Sequence, residues 1–73
     1  QRLERTLKTT EDEIQKLEAR NQVLDDEYQN PDIAADVGKL MELHKEHEKN
    51  DARLEELYEI WEITSEELSE IKE

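Results

Sequence analysis

Tyr28-Gln29-Asn30-Pro31-Asp32-Ile33-Ala34-Ala35-Asp36 interrupts an otherwise unbroken run of helix-forming sequence. Pro31 pushes the residue before it away from helical backbone angles, and the short polar side chains of Asn30 and Asp32 favour turns. A connector is therefore expected over about residues 29–36. Asn30, with Pro31 at the first helical position, suits the start of one short turn inside it, and Asp36 suits the N-cap of a second long helix.

Outward from the connector the same pattern appears on both sides. Leu3, Leu7, Thr10, Ile14, Leu17, Asn21, Leu24 and Tyr28 follow one another at alternating steps of four and three residues. That is the seam of a heptad repeat, whose positions are lettered a to g, with a and d facing the partner helix. Leu40, Leu43, His47, Asn50, Leu54, Leu57, Trp61, Thr64, Leu68 and Ile71 repeat the alternation, and Ile33 extends it backwards by one heptad. The predicted elements are a helix over about 2–28 and a second over about 37–71. Two helices joined by so short a linker pack on each other by running antiparallel. The expected fold is all-α, an antiparallel coiled-coil hairpin forming a single domain over 1–73.

Composition agrees with a slender assembly. Charged residues make up 44% and hydrophobic residues 33%, with a net charge of -12, which leaves too little apolar material for a thick core. One Gly and one Pro among many Glu, Leu, Lys, Arg and Ala favour long helices over strands. There is no Cys, so disulfides, thiolate zinc sites and thiol nucleophiles are excluded. No window reaches the apolar length of a membrane span, and no signal peptide is visible. A cytoplasmic protein without membrane contact is expected, as a monomer rather than a homodimer. Because Gln1 already lies in helical sequence, the chain reads as a fragment of a larger protein.

Charge selects the register. With Leu7, Ile14, Asn21 and Tyr28 at position a, like layers pair them with Trp61, Leu54, His47 and Leu40. The d layers become Leu3 with Thr64, Thr10 with Leu57, Leu17 with Asn50, and Leu24 with Leu43. The flanking g positions then bring Glu13 to Arg53, Arg20 to Glu46 and Glu27 to Lys39, all of opposite sign. Sliding by one heptad faces Arg20 with Arg53 or Lys39 instead, and each swing from attraction to repulsion counts against the slipped alignment. One e-position contact, Glu18 against Asp51, is expected to repel. Leu68 and Ile71 pass the end of the first helix and are expected to find their cover in residues upstream of Gln1.

Asn21, His47 and Asn50 form a polar step in this seam. One reading makes it a pH switch, in which a buried His47 loosens the hairpin when charged; the other makes it a device that fixes register and partner number. His44 and His47 at i and i+3, with Glu48 nearby, lack the third His and the spacing of a zinc-protease motif, so no metal site is assigned. The acidic residues have no concave pocket in which to act as acid and base, so no catalytic residue and no cofactor are assigned either. Tyr58, Ile60, Trp61 and Ile63 gather apolar surface near the open end, and only Trp61 belongs to the seam. They read as a docking patch for a parent domain or partner, or alternatively as a broadened seam or a homodimer contact.

The negative charge disfavours nucleic acid, but it is unevenly placed. Lys72 is the only basic residue from Leu54 onwards, whereas Lys16, Arg20, Lys39, Lys45, Lys49 and Arg53 cluster in the half nearer the connector. Those six are the candidate nucleic-acid contacts, with Arg20, Lys39 and Arg53 facing g-position carboxylates.

Two strings go beyond what a generic coiled coil requires: the connector from Tyr28 to Asp36 followed by Lys39-Leu40, and Leu54-Glu55-Glu56-Leu57-Tyr58-Glu59-Ile60-Trp61-Glu62. Over about residues 10 to 68 the chain resembles the C-terminal coiled-coil domain of bacterial ABC-F ATPases, the Uup-like group of ABC transporter ATP-binding proteins. It departs from that family at Val37-Gly38, where Pro often follows the second Asp. The resemblance implies a parent with two ATP-binding cassettes acting on the ribosome or translation, with this domain as an appendage. Some relatives' C-terminal domains are associated with DNA or RNA. ATP and Mg belong only to that parent, since a single Gly excludes a phosphate-cradling loop here. The implied partners are the parent ATPase domains and, through them, ribosome, RNA or DNA. The alternative is a coiled-coil spacer or protein-docking hairpin with no nucleic-acid role.

Overall fold

The computed structural model describes residues 2–72, with side chains described through residue 70. Among them there are three helices and no strand: α1, Arg2–Tyr28; α2, Pro31–Ala34; and α3, Val37–Lys72. α1 and α3 lie side by side in a rod of 56 × 15 × 14 Å. Cross-helix partners count in opposite directions, with Glu13 on Arg53, Arg20 on Glu46 and Asn21 on Asn50.

Local chemistry explains the connector. The last turn of α1 closes tightly, with the Gln29 and Asn30 amides donating to the Asp26 and Glu27 carbonyls. Asn30 caps α2 by accepting from the Asp32 amide at 3.0 Å, with Pro31 at the first helical position where no donor is needed. Asp36 then accepts from the Lys39 amide at 3.2 Å and starts α3. Gly38 leaves room for that cap, because a Cβ there would stand 3.3 Å from the Asp36 carboxylate. Val37-Gly38 thus opens the helix without the proline of the resembling family.

The core is a single line of side chains. Ile14, Leu24, Leu57 and Leu68 are its buried hydrophobics, with Leu24 at 0% and Leu57 at 2% exposure, and Thr10, Asn50 and Thr64 are the buried polar residues among them. All seven occupy a or d positions. Burying a leucine of this kind stabilises by roughly 1.5–3 kcal/mol, so these few residues carry much of the fold. Among the described residues no buried side-chain polar atom lacks a partner; the Thr10 hydroxyl, for example, donates to the Thr6 carbonyl at 2.7 Å.

Leu68 corrects an expectation. It is only 8% exposed without any residue upstream of Gln1. Side chains on a helix tilt towards its N-terminus, so Leu68 leans back along α3 while those of α1 lean outwards to meet it. Ile71 lies outside the described side chains.

Candidate interaction surface

The helix pair has two unlike flanks. Along one, the Glu13 and Glu46 carboxylates receive guanidinium forks: Arg53 donates through Nε at 2.7 Å and Nη2 at 3.1 Å, and Arg20 through Nε at 2.5 Å and Nη2 at 3.0 Å. The Arg53 fork holds the Glu13 carboxyl below the usual carboxylate range, and the Arg20 fork does the same to Glu46. Both guanidinium groups are correspondingly raised, each chiefly by its carboxylate partner. Lys16 and Lys49 add smaller favourable fields to Glu13 and Glu46, which places them on this flank as well.

The expected Glu27–Lys39 pair does not form among the described residues. Glu27 tilts along α1 away from the connector and Lys39 tilts along α3 towards it, so the two heads diverge. The longer arginine forks span the same divergence; one ammonium does not. The six candidate nucleic-acid contacts therefore divide. Arg20 and Arg53 are committed to carboxylates, whereas Lys16, Lys39, Lys45 and Lys49 enter no ion pair among the described residues.

The polar step is more extensive than the sequence pattern showed. Asn50 Nδ2 donates to Asn21 Oδ1 at 3.0 Å, and Asn21 Nδ2 donates to Asp51 Oδ1 at 3.1 Å. His47 stands between two carboxylates, with Nδ1 at 2.9 Å from Asp51 and Nε2 at 3.4 Å from Asp25 of α1. The e positions of Asp25 and Asp51, adjacent to an a-position His, were the signal for this arrangement. The ring nitrogens face separate carboxylates, and among the described residues no three His, Asp or Glu form a metal-holding group.

Asp51 and Glu18 avoid the expected repulsion by tilting apart. Asp51 turns to Asn21 and His47, while Glu18 accepts the Tyr58 hydroxyl at 2.6 Å and raises the Tyr58 phenol above its usual value. Trp61 does not fill its seam layer. It remains 37% exposed and reaches across the flank so that Nε1 donates to Glu11 at 3.0 Å.

The apolar quartet consequently separates. Tyr58 and Trp61 border a groove of about 340 Å³ on the acidic flank, floored by Ile14. Ile60 lies on the opposite flank in a groove of about 310 Å³ with Glu13 and Arg53, and Ile63 is 54% exposed. A further shallow groove of about 540 Å³ beside the connector combines Tyr28, Val37, Leu40 and Met41 with Lys45 at its edge. Val37 and Met41 lie off the heptad seam, and that escape from the pattern was their only signal.

Among the described residues no helix is long and apolar enough to cross a membrane. The family model described as ABC transporter C-terminal domain matches residues 1–70. No curated protein and no solved structure matches the chain.

Proposed function

Because the chain belongs to the ABC transporter C-terminal domain family, we propose that it is a non-catalytic interaction arm of an ABC-F-type ATPase, built as an antiparallel coiled-coil hairpin. The observation that carries this reading is the 56 Å rod whose cross-helix pairs descend along α3 as they ascend along α1. Such a rod offers long flanks for contact with a partner.

In this reading the arm extends its connector end towards ribosome or nucleic acid, and the ATP and Mg chemistry stays in the parent's cassettes. Lys16, Lys39, Lys45 and Lys49 supply the phosphate contacts, because Arg20 and Arg53 already serve Glu46 and Glu13. Few lysines on a chain of net charge -12 imply weak binding that fades with salt. The test is titration of labelled RNA and DNA at two salt concentrations with the native chain and with Lys45→Glu/Lys49→Glu. Salt-sensitive binding lost on charge reversal supports the proposal. No salt-dependent binding, or binding indifferent to the reversal, rejects the lysine contacts.

A further inference from the structure

The acidic flank has a chemistry of its own. Trp61 and Tyr58 are 37% and 47% exposed, and their polar edges are already engaged by Glu11 and Glu18. Pinning the edges holds the rings in place and leaves ring surface open to the groove they share with Ile14 and Gln15. Tyr58 also borders a second concavity of about 560 Å³, which it shares with Glu55, Glu59 and Glu62. Those three carboxylates enter no ion pair among the described residues.

We propose that this flank docks an arginine-rich segment of a partner polypeptide, with a guanidinium laid against Trp61 and Tyr58 and held by the neighbouring carboxylates. An aromatic face attracts a cation, and tryptophan does so best. A planar guanidinium stacks on such a ring while its fork donates to carboxylates, which an ammonium cannot do in the same geometry. The flank repels phosphate, so its occupant differs in kind from the nucleic acid proposed for the lysines. Lys8 also borders the groove, with its ammonium on Asp12 at 3.2 Å, and opposes an incoming cation.

Trp61 is the only tryptophan, so its fluorescence reads the site directly. The 73-residue chain is titrated with a hexa-arginine peptide and, in parallel, with hexa-lysine. The expected result is a saturable change in Trp61 emission, with hexa-lysine weaker. Tyr58→Ala and the exposed double variant Glu59→Lys/Glu62→Lys should each weaken hexa-arginine about tenfold. Lys8→Ala should strengthen it. Glu27→Lys/Glu42→Lys, the same change of charge far from the groove, should alter it by less than about twofold because screening confines the effect to within about 10 Å. No emission change, equal affinity for the two peptides, or equal weakening by the near and remote charge variants would overturn the proposal. Loss of nucleic-acid binding at the lysines would leave it standing.

Discussion

Arg20 of α1 clasps Glu46 of α3 with two donors, twenty-six residues apart in sequence and each next in the chain to a member of the polar step, Asn21 and His47. The clasp sets the level at which the helices meet. Arg20→Glu should lower the thermal midpoint by a few degrees, and adding Glu46→Arg should restore part of the loss. A double-mutant cycle over the four proteins measures the coupling; strictly additive effects would mean that the residues do not meet.

The depressed Glu13 and Glu46 carboxyls link stability to pH. A carboxyl held lower in the folded than in the unfolded state contributes stability that is present above its unfolded value and is lost as pH falls through the folded one. Acid unfolding should therefore steepen below the ordinary carboxylate range near pH 4. Arg20→Gln/Arg53→Gln should flatten that acid limb, as read by helicity against pH.

Tyr58 links stability to pH in the opposite direction. Its phenol is raised chiefly by the hydrogen bond to Glu18, so the contribution is complete below the ordinary tyrosine value near 10 and is lost as pH rises through the higher folded value. In a Tyr28→Phe background, spectrophotometric titration should show late ionisation of Tyr58. Glu18→Gln should bring it back down.

Leu24 is fully buried and has little around it to fill a void in so thin a core. Leu24→Ala should cost about 2–5 kcal/mol in chemical denaturation. Val23, 45% exposed on the neighbouring position, should tolerate alanine within about 0.5 kcal/mol.

Asn21 and Asn50 spend seam positions on a hydrogen bond rather than on apolar contact. Replacing both with Leu should raise the unfolding midpoint while loosening control of partner number, a trade known for polar seam residues. Sedimentation should find the native chain in one state and the double variant in several.

The heptad lettering made much of the architecture legible. Thr10, Ile14, Leu24, Asn50, Leu57, Thr64 and Leu68 are all seam positions and all buried, and Asn30, Pro31 and Asp36 mark the connector's caps. What the lettering lacked was direction along the axis. Each side chain tilts towards its own helix N-terminus, so residues opposite on paper are displaced in space. That one effect buries Leu68, separates Glu27 from Lys39, parts Glu18 from Asp51, and carries Trp61 out of its layer to Glu11. It also divides the expected apolar patch, because Tyr58 and Trp61 join carboxylates on one flank while Ile60 stays beside Arg53 on the other.

The pairing of α1 with α3 in one register underlies both flanks, and a distance measurement tests it most directly. The chain has no cysteine, so Lys16→Cys/Lys49→Cys accepts two nitroxide labels without background. The paired helices predict a spin–spin distance of about 10–20 Å that persists on dilution with unlabelled chain, since packed axes lie about 8–10 Å apart. A separation near 50 Å, the length of a continuous helix between those residues at 1.5 Å per residue, would contradict the pairing, as would a short distance that vanishes on dilution.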